Sequence, residues 1–145
     1  MKLLWILIVI AFFSSTVLAQ TIVKESEVPE VVQASLKEKF HDVKVISWVL
    51  DEGNYGAIGK AEGKKVEYLF DADGKYISTK TKVKKEEVPS VVLLGVQASQ
   101  YADWKFKNIE FVETAGHKSF YQIALNKDGQ TQDLVFDSKG NEISK

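Results

Sequence analysis

The chain has 145 residues, 19 basic against 20 acidic, a formal charge of −1, no cysteine and no arginine. Near-neutrality excludes the basic footprint of a nucleic-acid binder, and the missing thiol excludes disulfides, thiolate metal sites and thiol nucleophiles. Without arginine there is no planar, bidentate grip on phosphate or carboxylate, so the fold must rest on its apolar core.

At the N-terminus Lys2 precedes the apolar run Leu3 to Phe13, followed by Ser14-Ser15-Thr16 and Val17-Leu18-Ala19. A charged start, a short apolar stretch and small residues before a break define a signal peptide over residues 1–19, cleaved after Ala19. The run rises only about 16 Å as a helix, short of a hydrocarbon core of about 30 Å. The mature chain is expected to begin at Gln20, to be periplasmic or secreted, and to keep no integral membrane segment.

The rest of the chain repeats itself. Glu27 to Leu36, EVPEVVQASL, returns as EVPSVVLLGV at Glu87 to Val96, an offset of 60. Phe70 to Ser78, FDADGKYIS, returns as FDSKGNEIS at Phe136 to Ser144, and Tyr55 as Tyr121, an offset of 66. Two units are expected, residues 20–85 and 86–145, with six extra residues between the second helix and Tyr121.

Each unit opens as a helix. Pro29 and Pro89 suit a first turn, with acids at Glu27, Glu30, Glu86 and Glu87. Val28, Val32, Leu36 and Phe40 make one stripe with Val31 beside them, matched by Val88, Val91, Val92 and Val96. Leu93 and Leu94 stand where the first unit has Gln33 and Ala34, which predicts a second helix buried more fully or meeting something else. The period then falls to two. Strands are predicted over Val43 to Leu50, Tyr55 to Ala61, Lys64 to Phe70 and Lys75 to Val83. In the second unit they run over Trp104 to Val112, Ser119 to Asn126, Thr131 to Phe136 and Asn141 to Ser144, with glycine turns between. Short connections imply antiparallel neighbours, so each unit should be a helix packed on a four-stranded meander, an α+β fold.

The repeated Asp-x-x-Gly phrase reads as a turn in which Asp bonds the backbone ahead and Gly takes the left-handed position. A calcium loop is the sharper alternative, but the further acids of an EF-hand are absent, and the second unit has Lys139 where Asp73 stands. The helix with an early Val-Pro, a strand after Phe40-His41-Asp42-Val43, a Tyr-led strand and then Phe-Asp-x-x-Gly resembles the PepSY-like family of exported bacterial proteins. That family is related in fold to the β-lactamase inhibitory protein. The resemblance spans Ser26 to Lys145 and implies a tandem repeat forming one curved sheet, both helices on its convex face and a free concave face. It carries over no inhibitory residue, because the hairpins after the Tyr-led strands read Ala61-Glu62-Gly63-Lys64 and Asn126-Lys127-Asp128-Gly129.

Catalysis has little to stand on. His41 and His117 occupy non-equivalent places, there is no nucleophile elbow, and neither a cofactor nor a metal site is expected. Strand alternation offers more. The inward set should be Ile46, Trp48, Val66, Tyr68, Phe70 and Ile77, then Ile109, Phe111, Tyr121, Ile123, Leu125, Leu134, Phe136 and Ile143. The other parity carries Val45, Val49, Ile58, Leu69, Tyr76, Val112, Phe120 and Val135 among Ser47, Lys60, Glu67, Glu110, Gln122 and Asp133. From it Val49, Ile58, Leu69, Tyr76, Val112, Phe120 and Val135 form the candidate partner-binding face, since mixed aromatic and polar patches are what partners bury. Ordinary exposed strand residues, or burial between two sheets packed face to face, would explain the same set. Trp104 and Phe106 fall in the extension and could cover a sheet edge or make an aromatic contact. Lys80, Lys82, Lys84 and Lys85 read as a guard on a terminal strand, or as a site for an anionic partner. The sequence thus points to a non-enzymatic exported module holding a protein or peptide, with inhibition of its partner in view. A structural, envelope-associated repeat protein is the alternative.

Overall fold

Eight strands follow one another through a single antiparallel sheet in chain order: β1 (Thr21–Val23), β2 (Lys44–Asp51), β3 (Asn54–Ala61), β4 (Lys64–Phe70), β5 (Tyr76–Lys82), β6 (Lys105–Thr114), β7 (Ser119–Lys127) and β8 (Gln130–Phe136). The computed structural model describes residues 20–143, so the predicted signal peptide and Ser144 lie outside it. Helix α1 (Glu30–Lys39) stands between β1 and β2, and α2 (Ser90–Ala98) between β5 and β6. With one sheet among the described residues, packing of two sheets face to face is overturned. Strand β1 was not anticipated, because Thr-Ile-Val is too short to show a period; it pairs with the outer side of β2, Ile22 opposite Val49. The last predicted strand, from Asn141, is reduced to one bridge between Glu142 and Phe136.

The duplicated phrases have matching local structure. Before each helix lies a 3-10 turn, Glu25–Glu27 or Lys85–Glu87, whose last carboxylate accepts the N–H of Lys24 or Lys84 at 2.8 Å. Pro29 and Pro89 then cap the helices from just outside, with ψ of 136 and 137°, instead of lying within the first turn. Their φ suits a helix, but the extended ψ starts the helical run one residue later. Buried residues fall at the same steps in both, Val28, Val32 and Leu36 against Val88, Val92 and Val96. The second helix is therefore not buried more fully: Leu94 is 60% exposed and Val91 44%. Val91, expected in the stripe, and Leu94 both lie off the row that the four-residue spacing turns inward.

Two cores result. The first joins Val28, Val32 and Leu36 to Trp48, Ala57, Val66, Tyr68 and Phe70, with Phe40 and Tyr76 at its margin. The second joins Val88, Val92 and Val96 to Ile109, Ile123, Leu125, Leu134 and Phe136, with Trp104, Phe106 and Tyr121 at its margin. Phe70 and Phe136 are fully buried, each worth about 2 to 3 kcal/mol of transfer free energy.

Immediately after each of these phenylalanines comes the Asp-x-x-Gly turn. Asp71 Oδ1 accepts the N–H of Asp73 at 3.0 Å and of Lys75 at 2.9 Å; Asp137 Oδ1 accepts those of Lys139 and Asn141, both at 2.9 Å. The carboxylates are thus committed to their own loops, which favours the turn over the calcium loop. Gly74 and Gly140 follow at φ +82 and +84°, and each sits against the helix of its unit. A Cβ on Gly74 would stand 2.9 Å from the Val31 carbonyl oxygen, and one on Gly140 would strike the Val91 carbonyl. Glycine is required twice over, for the left-handed backbone and for the close approach of turn to helix. Sequence alone supplied only the first reason.

Three bulges revise the predicted faces, since one extra residue inverts the alternation beyond it. Between Val45 and Ser47 the bulge takes Ile46 out of the core to 63% exposure and turns Val45 into it. Between Phe106 and Asn108 the same device turns Phe106 into the second core. Opposite Leu69 and Phe70, Ile77 is skipped, so Tyr76 pairs with Phe70 and packs against the first core instead of joining the opposite face. Ile143, expected inside, is 42% exposed where the terminal ladder has failed. The extension also lies elsewhere than Trp104 and Phe106. Trp48 pairs with Ala57 nine residues on, whereas Ile109 pairs with Ile123 fourteen residues on, so five of the six extra residues lengthen the β6–β7 hairpin.

Two measurements check this description. Gly140→Ala should cost about 2 to 4 kcal/mol in urea unfolding, because strain and overlap add, whereas Gly129→Ala, at φ +79° in open space, should cost about 1 kcal/mol. Equal losses would mean that the turn does not bear on the helix. Burial, reinforced by repulsion from Tyr76, raises the phenol pKa of Tyr68, and burial raises that of Tyr76 against the lowering effect of its bond to Thr79. The folded state then holds these protons more tightly than the unfolded state. Their stabilisation is complete below the ordinary value of 10.0 and is lost as pH rises through the folded values. Thermal melts from about pH 8 to about pH 11 should show a shallower alkaline decline for Tyr68→Phe than for wild type.

Candidate functional site

Pairing register sorts the side chains into rows that cross the sheet. On the face away from the two cores, one row reads Ile22, Val49, Gly56, Leu69 and Ser78. The next reads Ser47, Ile58, Glu67, Lys80, Val112 and Phe120, and a third brings Lys82, Glu110, Gln122 and Val135 together. Six of the seven predicted site residues therefore share one face, and Tyr76 does not.

Those six are not equivalent. Ile58, Leu69, Phe120 and Val135 are half-buried, whereas Val49 and Val112 are each only 3% exposed. Gly56 explains the first of these. With no side chain of its own, it lets Val49 and Glu67 close over it, to 2.8 and 3.1 Å of where a Cβ would stand. Gln20 Nε2 then donates to Glu67 at 3.3 Å, drawing the start of the described chain across the same spot. Between the apolar residues the face is charged, with Glu67 paired to Lys80 and Glu110 to Lys82 across strands.

The core face carries a cleft that sequence reading missed. Val66, Thr81, Phe111, Tyr121 and Phe136 stand side by side across β4 to β8, and Tyr68, Thr79 and Glu113 form the row beside them. Beyond Tyr76, β5 bears on this face only the small Thr79 and Thr81, and a cleft of about 810 Å³ opens between the cores. Its aromatic side is Phe40, Tyr68 and Tyr76; the Tyr76 hydroxyl lies 2.6 Å from Thr79 Oγ1, and Lys39 Nζ stands 4.7 Å over the Tyr76 ring. The lengthened β6–β7 hairpin builds the facing wall with Thr114, Ala115, His117 and Lys118, pinned where the Ala115 N–H donates to the Ile77 carbonyl at 2.9 Å. A signal was present in the sequence, the change of offset from 60 to 66, but not the place where the extra residues fold.

Neither the face away from the cores nor the cleft gathers reactive groups. His41 is exposed, with Nδ1 3.0 Å from the Lys37 carbonyl, and His117 occupies a hairpin turn at φ +58°. Among the described residues there is no group of three or more His, Cys, Asp or Glu side chains that could hold a metal ion. No described helix is long and apolar enough to cross a membrane.

Comparison with known proteins agrees with this architecture. A crystal structure of a DUF2874 family protein from Bacteroides uniformis superposes with a TM-score of 0.74 at 24% identity, over 80% of this chain and 86% of that one. A periplasmic protein from Bacteroides eggerthii gives 0.73 at 24%, again over 80% and 86%. A BLIP-like protein from Bacteroides fragilis gives 0.69 at 24%, over 80% and 84%. Such identities speak for the fold alone. No curated protein matches the chain. The model of the family described as "Putative beta-lactamase-inhibitor-like, PepSY-like" matches residues 53–144, well over half of the sequence, and the chain belongs to that family.

Proposed function

We propose that this protein is an exported, non-enzymatic binding module whose sheet face away from the cores holds a protein or peptide. It is built from two helix-plus-sheet units, residues 20–85 and 86–145, with both helices on one face. The continuous row from Val66 in the first core to Phe136 in the second supports that placement. Export rests on the N-terminal Lys2, the apolar run and Ala19, and the periplasmic description of the Bacteroides eggerthii protein of like fold agrees with it. Inhibition of the bound partner is the form of function that the BLIP-like fold suggests.

The observation that carries this reading is the set Ile58, Leu69, Phe120 and Val135, apolar side chains left half-open on a face with charges between them. Apolar anchors within a polar surround match the composition of partner interfaces. Val49 and Val112 support these anchors from below and contribute packing, so the contact set is smaller than the predicted one. Tyr76 belongs to the cleft on the core face.

The decisive experiment is capture from native periplasmic extract of the source organism by residues 20–145, beside a variant with Ile58→Lys and Phe120→Lys shown to be folded by circular dichroism. A protein held by the wild type and lost by the variant is the expected result. Identical capture by both, or by neither, would favour the structural, envelope-associated alternative.

A further inference from the structure

Three lysines stand in register on the face away from the cores: Lys44 opposite Lys60, and Lys60 opposite Lys65. Continuing the β4–β5 register of Val66 with Thr81 and Glu67 with Lys80 brings Lys82 beside Lys65. All four are exposed, and none is in an ion pair among the described residues. Like charges directly opposite one another weaken a sheet. Acids adjoin the row: Asp42 and Glu62 stand two residues along the chain from Lys44 and Lys60, while Glu67 in the neighbouring row and Glu110 beyond Lys82 frame a small pocket of about 100 Å³ with Lys65, Lys80, Lys82 and Asn108.

The usual reason for strand lysines does not apply to Lys60, Lys65 and Lys82. Lysine guards the edges of sheets, but β3, β4 and β5 are paired on both sides. Only Lys44 lies on the stretch of β2 that β1, paired to Trp48, Val49 and Leu50, leaves as an edge. The guard reading of Lys80 and Lys82 is thereby overturned. Nor does the architecture demand the row. In the second unit the same ladder positions, counted from the same bulge, are Lys105, Asn126 and Thr131. One unit builds its sheet with a neutral pair where the other places two more lysines.

Resting on the binding face proposed above, we infer that Lys44, Lys60, Lys65 and Lys82 form an acceptor strip for an acidic polypeptide segment. Ile58 and Leu69, one and two rows away, receive its apolar side chains. Ammonium groups act there as point charges on flexible stems, which suits carboxylates presented along an extended chain.

The test uses mature protein and a fluorescent ten-residue peptide alternating Glu with Leu, beside the same peptide with Gln for Glu. At low salt the wild type should bind the Glu peptide at least about tenfold more tightly than the Gln peptide, and the preference should fade as salt rises. The variant Lys44→Gln, Lys60→Gln, Lys65→Gln, Lys82→Gln should lose that preference while melting at the same or a higher temperature. Equal affinity for both peptides, a preference that survives in the variant, or a variant that melts lower would overturn the inference. So would tighter binding of wild type to phosphatidylglycerol vesicles than to the peptide. If the lysine variant still captures a protein that the Ile58→Lys, Phe120→Lys variant loses, the strip fails and the binding face stands.

Discussion

The pairing of β5 with β6 decides most of this molecule's properties. Five residue pairs, from Ser78 with Thr114 to Lys82 with Glu110, join β1–β5 and the first core to β6–β8 and the second. A unit of some sixty residues buries too little surface to be comfortable alone, and no disulfide is available to compensate. Sharing one ladder removes two sheet edges at once and extends the hydrogen-bonded network across eight strands. It also turns β5 from an outer strand into a central one, which changes what every side chain on it can mean.

Strand β5 is the seam on both faces. Towards the cores it carries Tyr76, which packs on the first core, and then Thr79 and Thr81, too small to bridge the apolar groups on either side, and a cleft results. On the other face it carries Ser78, Lys80 and Lys82, which divide Ile58 and Leu69 from Val112 and Phe120. Apolar side chains on that face therefore fall in two groups with a polar strip between.

Departures from exact repetition are where specificity has room to reside. The common parts, the Glu-Val-Pro entry and the Asp-x-x-Gly turn set against the helix, maintain the fold in both units. The hairpin longer by five residues and the lysines at Lys60 and Lys65 occur in one unit only. A feature that one copy dispenses with is not required by the geometry the copies share, so stability alone does not explain it.

Much was legible in the sequence because it depends on near neighbours. The helix stripes, the two-residue hairpins at Glu52-Gly53, Glu62-Gly63 and Asp128-Gly129, and the Asp-x-x-Gly turns all follow from local backbone preferences. Six of seven proposed face residues also followed, because alternation has a period of two and most strands keep it. Tyr76, Ile46 and Val45 were misplaced because a bulge is set by pairing with another strand, and one skipped residue inverts the pattern. The position of β5 inside the sheet, the cleft above it, and the alignment of Lys44, Lys60 and Lys65 depend on contacts between distant segments. The sequence by itself determined the two helices, the strands β2 to β8 and their turns; tertiary pairing added β1, reduced the last predicted strand to a bridge and decided which side chains became neighbours, because register is a relation between strands and not a property of any one of them.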